Sequence, residues 1–152
     1  MAGLGQKTRV NEIIFPRSPR EQMDGWVWLP RFVDKVRLHL ADRLHEDYQP
    51  NFCVKGFDLA WLEATGLEAH GFVEMVGNTL TDGEVCDWVA RNATADSAAK
   101  AEFREKMENY GRDESNTELR ALLQKRKEDA GFGDRDDIQC FVDFIDADEG
   151  RL

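Results

Sequence analysis

Seven carboxylates stand close together near the C-terminus of this 152-residue sequence. They are Asp134, Asp136, Asp137, Asp143, Asp146, Asp148 and Glu149. Paired carboxylates can bind Mg²⁺ or Ca²⁺, or can divide the acid and base roles of a reaction. The stretch "DADEG" has the alternating acids with which a calcium loop begins, but the further ligand positions are absent. A salt-bridged or solvated helix end is the simpler interpretation. The structural acid cluster predicted on this basis comprises Asp143, Asp146, Asp148 and Glu149.

The opposite charge is concentrated near the N-terminus. The basic residues there are Arg17, Arg20, Arg31, Lys35 and Arg37. Guanidinium groups bind carboxylate and phosphate through two parallel hydrogen bonds, so one interpretation is a site for a small anionic ligand. The other interpretation pairs these side chains with the C-terminal acid cluster and thereby joins the two ends of the chain. The complementary charges favour this second interpretation, which we name the end-pairing hypothesis.

Four more residues in the same region are candidates for a site. Asp34 and His39 could transfer protons in a small enzyme. No nucleophile motif accompanies His39, so a histidine at the border of an apolar stripe is the simpler interpretation. Trp26 and Trp28 lie in "GWVWLP", where they could line an apolar ligand pocket or dock a partner. Packing in the core is the more common outcome for such residues.

The sequence predicts no metal site and no cofactor. Cys53, Cys86 and Cys140 are widely spaced, and neither a CxxC pair nor an HExxH motif occurs. The segment "GLGQKT" at residues 3–8 lacks both the GK[ST] order and a preceding strand, so it is not a phosphate loop. Three reduced thiols and no disulfide are therefore expected.

The overall charge argues against nucleic acid and membranes as partners. The formal net charge is −10, and hydrophobic residues make up 41% of the chain. An acidic protein repels nucleic acid and anionic lipid unless its positive charge is concentrated locally. We find neither an apolar signal segment nor a stretch of the ~20 apolar residues that a membrane span requires. These features predict a cytoplasmic protein.

The elements that must position these residues are mainly helices. "SPRE" at 18–21 is a capping box, which predicts a short helix that ends at Asp24-Gly25. A longer helix is predicted from Pro30 to about Arg43 because apolar residues recur at helical spacing. Arg31, Asp34 and Lys35 lie on its opposite face together with Leu38. An apolar residue among charges predicts that this face is covered too.

Capping residues and glycines farther along the chain predict the remaining helices. Residues 45–56 read as a connecting loop, and Gly66 is expected to end the helix that follows it. Capping boxes occur at 81–84 and 115–118, and Asp96 can cap a helix between them. Residues 138–146 fit either a strand or a helix, and helix is favoured, with Asp134 or Asp136 as its cap. The prediction is one all-α domain of seven or eight short helices over residues 16–152, after an extended arm at 1–15.

Two segments carry a family resemblance. "PRSPREQMDGWVWLPRFVDKVRLHL" and "FVDFIDADEGR" together resemble DUF5069, a bacterial family of unknown function, over about residues 16–151. The resemblance implies one bacterial domain and assigns no activity. Taken together, these observations predict a cytoplasmic binding or interaction domain. The alternative is a small enzyme or sensor for an anionic metabolite that uses the arginines for binding and Asp34 or His39 for proton transfer. The oligomeric state is left open.

Overall fold

Helices dominate the computed structural model, which describes residues 13–152. Seven α-helices and one short hairpin lie within those residues, so the mostly helical prediction is confirmed. The hairpin consists of β1 (Gln22–Met23) and β2 (Trp26–Val27). The helices are α1 (Leu29–Leu40), α2 (Gly56–Thr65), α3 (Ala69–Gly77), α4 (Asp82–Asn92), α5 (Ser97–Glu108), α6 (Thr117–Asp129) and α7 (Phe141–Asp148). A 3-10 helix spans Glu46–Asn51.

The chain divides into two compact units. The first, here the N-terminal unit, consists of residues 16–104. The second, here the C-terminal unit, consists mainly of residues 105–152. A single domain over 16–152 stays a prediction. Of the predicted N-terminal arm, residues 1–12 lie outside the described residues, and Ile13–Phe15 have neither helix nor strand.

The short helix predicted from "SPRE" is wrong, because this segment enters a hairpin. Gln22 pairs with Val27 and Met23 pairs with Trp26 in an antiparallel register. The turn between them has positive φ at both central residues, 53° at Asp24 and 78° at Gly25. Such a turn matches the twist of paired strands, and Asp-Gly is a preferred sequence for it. Asp24-Gly25 therefore forms the hairpin turn and does not end a helix.

Aromatic contacts organise the core of the N-terminal unit. Helix α1 buries Phe32, Val33 and Val36 completely, as its apolar stripe predicts. The ring of Phe32 lies 5.7 Å from that of Trp61 and 4.7 Å from that of Phe72, measured between centroids. Each such aromatic pair contributes about 0.5–1.5 kcal/mol beyond the area that it buries. Helix α1 is thereby held with its charged face turned away from this core.

Most predicted helix ends follow local rules, but α6 begins one residue later than predicted, and α1, predicted to end near Arg43, ends at Leu40. Thr81 and Glu84 form the predicted capping box of α4, and the Ala99 amide donates to Asp96 Oδ1 (3.0 Å). Helix α2 ends at Gly66, whose φ of 73° suits glycine. The cap of α6 is Asn116, one residue later than the capping box predicted at 115–118.

Helix α7 forms where the C-terminal helix was predicted, but it begins later. Its N-cap residue is Cys140, which makes no side-chain capping bond, so the predicted caps at Asp134 and Asp136 are wrong. Asp143 inside the first turn instead accepts a hydrogen bond from the Gln139 amide (2.8 Å). Apolar packing orients the helix through a cluster of buried and partly buried residues. These are Leu123, Ile138 and Ala147, with Phe132, Phe141 and Phe144 against them.

Candidate functional site: the charged face of helix α1

The charged face of α1 is buried at two cationic positions. Arg31 is 3% exposed and Lys35 is 4% exposed, whereas Leu38 is half-buried. The sequence predicted that this face would be covered. The groups around Lys35 are Asp58 of α2, the Trp28 ring before α1, and Cys53 in the segment between α1 and α2. Burying an ammonium group is costly unless it is paired, so Lys35 requires a partner within the protein.

Asp58 of α2 is the partner of Lys35. The Lys35 Nζ atom donates to Asp58 Oδ2 (2.7 Å), and the Trp28 indole Nε1 donates to Asp58 Oδ1 (2.9 Å). The Cys53 backbone amide also donates to Oδ2 (3.1 Å). The Asp58 side chain is 0% exposed, so these three donors replace its hydration. A single carboxylate thereby joins the start of α1, the middle of α1 and the loop before α2.

Burial determines the electrostatics of this pair. It lowers the pKa of Lys35, and the nearby Asp58 carboxylate counters that effect only in part. Burial also raises the pKa of the Cys53 thiol to about 11, so the thiol stays protonated at neutral pH. A protonated, half-buried thiol is a weak nucleophile. In this closed geometry the Cys53 thiol is therefore not an activated nucleophile, and Asp58 organises the residues around it.

Two residues bonded to Asp58 have strained backbones. The φ angle is 73° at Trp28 and 65° at Cys53, in the region that favours glycine. Each such residue costs about 1–3 kcal/mol and persists only when the surrounding structure imposes it. Here the bonds to Asp58 hold both residues in place. Strain of this kind concentrates at sites with a function, so this centre is the first candidate region.

Arg31 lies beside the same centre. Its guanidinium carbon is 5.4 Å from the Trp28 ring centroid and 5.5 Å from that of Tyr48. Its Nη1 donates to the backbone oxygen of Arg17 (3.1 Å). Stacking on aromatic faces stabilises a guanidinium that is removed from water. Arg31, Lys35 and Trp28 are thus three predicted ligand-binding residues that the fold brings together.

A second charged network lies on the surface of the N-terminal unit. Arg17 Nε donates to Asp34 Oδ2 (3.0 Å), and Arg17 Nη1 donates to Asp82 Oδ2 (2.9 Å). Arg37 Nη1 donates to Asp82 Oδ1 (3.0 Å), which ties α1 to the start of α4. These hydrogen bonds lower the pKa of Asp82, chiefly through Arg17, and raise that of Arg17 against the effect of its burial. Three residues predicted for ligand binding or proton transfer, Arg17, Asp34 and Arg37, therefore bond within the protein.

The other predicted residues in the N-terminal unit make contacts of different kinds. The His39 ring stacks near Phe52, with 4.6 Å between centroids. Trp26 is 1% exposed and packs edge-on against Trp61 in the core. The Arg20 amide donates to Ser18 Oγ (3.2 Å) in the turn before the hairpin. Core packing thus accounts for the burial of Trp26, and a ligand-binding role for it stays a prediction.

The C-terminal acid cluster makes bonds within its own unit. Arg151 Nη1 donates to Asp146 Oδ1 (3.2 Å) and to Glu149 Oε1 (2.5 Å). Both acids are buried, at 6% exposure each, whereas Asp148 is half-buried. Arg112 approaches Asp143, with 4.0 Å between its Nη2 and the carboxylate. The acids are therefore salt-bridged in part, and the end-pairing hypothesis stays a prediction.

Comparison with known proteins places the whole described chain in one family. Residues 13–151 match the family described as a domain of unknown function, DUF5069. The chain belongs to the DUF5069 family. The resemblance drawn from the sequence is thereby confirmed. No curated protein sequence matches the chain. The family description assigns no activity, so the function of this DUF5069 member has to be argued from its geometry.

Two further features bear on what this DUF5069 member could bind. A cavity of about 290 Å³ in the C-terminal unit is lined by Lys106, Asn109, Tyr110, Gly111, Asp113, Asn116 and Leu119. None of these residues was predicted as part of a site. Among residues 13–152, no cluster of three or more His, Cys, Asp or Glu side chains could hold a metal ion. The same residues contain no helix of the length and apolarity needed to cross a membrane.

Sequence reasoning missed the acids that organise both networks in this DUF5069 member. Asp58 precedes Trp61 and Leu62 by three and four residues, so it lies on the buried face of α2. A lone acid within an apolar stripe was the available signal. Asp82 was visible only as part of a capping box, where an acid suits the helix dipole. Its two arginine partners are distant in sequence and could not be predicted from local pattern.

Proposed function

We propose that this chain is a binding domain of the bacterial cytoplasm that docks a protein partner through an apolar surface centred on Leu80. The observation that supports the proposal is the exposure of Leu80, which reaches 91%. Burying a leucine fully on binding is worth about 1.5–3 kcal/mol. A side chain presented in this way can act as an anchor for a partner.

The turn that carries Leu80 is held by hydrogen bonds on both sides. Glu84 Oε1 accepts from the amides of Leu80 and Thr81, both at 3.0 Å. Thr79 Oγ1 donates to the Val76 carbonyl at the end of α3 (2.9 Å). The backbone bonds also lower the pKa of Glu84, which keeps this acceptor ionised. A turn held in this way loses little conformational entropy when its side chain is buried by a partner.

A second exposed leucine lies near this turn. Leu40, the last residue of α1, is 52% exposed. Its Cδ1 lies 3.0 Å from the position that a Cβ on Gly77 would take. Gly77 ends α3 and precedes Leu80 by three residues. We name the area formed by Leu40, Gly77 and Leu80 the Leu40–Leu80 surface.

Charge around this surface indicates the chemistry of the partner. Residues 78–87 contain three acids, Asp82, Glu84 and Asp87, and no basic residue. Asp82 is paired with Arg17 and Arg37, which leaves Glu84 and Asp87 as the acids at the rim. The whole chain has a net charge of −10. Opposite charges at the rim of an interface accelerate association and exclude wrong partners. We therefore propose a protein partner with an apolar pocket bordered by lysine or arginine.

The alternative, an enzyme or sensor for an anionic metabolite, receives less support. A ligand site requires its polar groups to converge on open space. The guanidinium groups of Arg17 and Arg37 converge instead on Asp34 and Asp82. The cavity of about 290 Å³ is lined by other residues, between 106 and 119. The alternative would regain support if inorganic phosphate or a small carboxylate bound to the purified chain and Arg37→Ala abolished that binding.

A comparison of two exposed leucines tests the proposal. The immobilised chain, its Leu80→Ser variant and its Leu122→Ser variant are each exposed to a lysate of the source cells. Leu122 is 39% exposed on α6 and serves as the matched control. A protein retained by the wild type and by Leu122→Ser, but lost with Leu80→Ser, is then purified and titrated against all three. We expect Leu80→Ser to weaken its binding at least ~10-fold, and 0.5 M salt to weaken it further. Equal affinity for all three proteins, or no captured protein that distinguishes them, would refute the proposal.

A further inference from the structure

The segment between α1 and α2 lies over the Lys35–Asp58 pair and buries little of its own surface. We name residues 45–55 the cover segment. Every residue in it is half-buried or exposed, although it approaches a pair that is almost completely buried. A segment that buries little of its own surface has little to lose by moving away.

The backbone hydrogen bonds of the cover segment are local. The Tyr48 amide donates to the His45 carbonyl (3.0 Å), and the Phe52 amide donates to that of Gln49 (3.2 Å). The Lys55 amide donates to the Asn51 carbonyl (3.1 Å). Bonds of this kind move with the segment. At its end, the Lys55 carbonyl accepts from the Leu59 amide (3.4 Å), so the segment stays joined to α2 there.

Contacts of Phe52, Tyr48 and Cys53 fasten the cover segment to α1 and α2. The Phe52 ring lies beside His39 and Phe32, at 4.6 and 6.4 Å between centroids. The Tyr48 ring lies over the Arg31 guanidinium. The Cys53 amide donates to Asp58 Oδ2 (3.1 Å). The hydrogen bond from the Cys53 amide is the strongest type of contact among these, because its acceptor is a buried carboxylate.

Strained residues occur at both ends of this region. Asp42 precedes the segment with a φ of 58°, and Cys53 lies near its end with a φ of 65°. Gly56 follows with a φ of 62°, which costs glycine nothing. Release of the Cys53 amide from Asp58 would let Cys53 return to an ordinary conformation. At Cys53 the hydrogen bond to Asp58 therefore favours the closed segment, whereas the backbone strain favours its opening.

We propose that the cover segment is a hinged cover, latched by the Cys53–Asp58 hydrogen bond, whose opening gives solvent and small reagents access to Lys35. The bonds from Lys35 and Trp28 to Asp58 use no atom of the cover segment. The buried pair therefore survives the opening, and an ammonium group beside a carboxylate becomes available to a ligand. The proposal is independent of the function proposed for Leu80.

Site-resolved alkylation of the three cysteines tests the cover. Iodoacetamide is added to the folded chain in 0–2 M urea, and each thiol is followed by mass spectrometry. Because burial raises the pKa of Cys53 to about 11, this thiol reacts slowly in the closed form, and opening of the cover segment accelerates the reaction. We expect the Cys53 rate to be nearly independent of urea, since local opening exposes little surface. The rate of Cys140, which is 0% exposed, should rise steeply because it requires global unfolding.

Two variants separate the cover from general loss of stability. Phe52→Ser removes a fastening contact but leaves Lys35 and Asp58 intact, and we expect it to raise the Cys53 rate at least ~5-fold. The Cys86 and Cys140 rates should stay unchanged. Acetylation of Lys35 by acetic anhydride should rise in parallel, while that of Lys125, already 70% exposed, should not. Asp58→Asn weakens the latch itself and should accelerate Cys53 more than the control Asp87→Asn does.

Three results would overturn the proposal. The first is a Cys53 rate with the same urea dependence as the Cys140 rate, because the segment would then open only when the protein unfolds. The second is equal acceleration of all three thiols in Phe52→Ser, because the variant would then loosen the whole protein. The third is an unchanged Cys53 rate in a folded Phe52→Ser protein, because Phe52 would then not fasten a cover.

Discussion

Two charged groups on helix α1 use the same kinds of side chain under different degrees of burial. In the Lys35–Asp58 pair the two side chains are 5% and 0% exposed. In the Arg17–Asp34–Asp82–Arg37 network the side chains are 23–38% exposed. Water screens the charges of the surface network but not those of the buried pair. Ion pairs of similar length therefore affect stability less in the network than in the buried pair. The buried pair constrains two strained residues, whereas the surface network joins α1 to α4 through ion pairs whose loss should cost little stability.

The buried pair should show the largest effect on stability. Asp58→Ala leaves Lys35 buried without its carboxylate, and we expect it to lower the free energy of unfolding by about 3–5 kcal/mol. Urea unfolding followed by circular dichroism measures this change. The double variant Lys35→Met with Asp58→Leu removes both charges and should recover most of the loss. If the double variant is no more stable than Asp58→Ala, then packing and not charge determines the stability of this centre.

The C-terminal acids should come next. Asp146 is buried, and its removal should cost on the order of 3 kcal/mol, whereas Asp113→Ala in an exposed turn should cost less than about 1 kcal/mol. Arg151→Ala measures how much of the Asp146 effect comes from Arg151. The Asp146–Arg151 contact does not test the end-pairing hypothesis, which requires an ion pair between a C-terminal acid and one of the N-terminal arginines.

Double-mutant cycles test that hypothesis directly. Asp146→Ala is combined in turn with alanine at Arg17, Arg20, Arg31 and Arg37. The end-pairing hypothesis predicts a coupling energy of at least about 1 kcal/mol with one of them. Coupling to Arg151 alone, with none to the four arginines, would show that Asp146 serves only the C-terminal unit.

Replacement of a strained residue should change stability by a smaller amount, and it should raise stability. Cys53→Gly relieves the positive φ at this position and should raise stability by up to about 1 kcal/mol. Cys86→Gly is the control, because Cys86 lies inside α4, where glycine costs about 0.5–1 kcal/mol. Thermal unfolding should therefore shift in opposite directions for the two variants. A loss of stability in both would mean that the thiol of Cys53 contributes more than its backbone costs.

The surface network should give the smallest effect, and one that depends on pH. The pKa of Asp82 lies below its ordinary value of 3.8 because Arg17 and Arg37 stabilise the carboxylate. A lowered pKa in the folded state contributes stability above about pH 4, and that contribution is lost as the pH falls through the lowered pKa. Asp82→Asn should cost less than about 1 kcal/mol at pH 7. The melting temperatures of the two proteins should converge below pH 4, and a constant difference down to pH 2 would contradict the assignment.

Features determined by neighbours in sequence were the ones that could be predicted. The capping box of α4 and the glycine at the end of α2 depend on residues within one helical turn. The apolar stripe of α1 likewise predicted which face would meet the core. Where two local signals competed, the prediction was wrong: a capping box at 18–21 was followed by Asp-Gly, and the hairpin formed because β2 supplies a pairing strand.

The sequence by itself thus determined the helical class, the family, and the presence of a charged face on α1 that something covers. Only the tertiary structure decided which carboxylate each cation meets. Lys35 bonds to an acid 23 residues away, and Arg17 bonds to one 65 residues away. Charge alone could not choose among the 30 acids of the chain, because attraction between ions is nonspecific until burial removes water from a particular pair. The packing of α2 and α3 against α1, and of α4 against α3, makes that choice. It is encoded in apolar contacts that lie far apart in sequence.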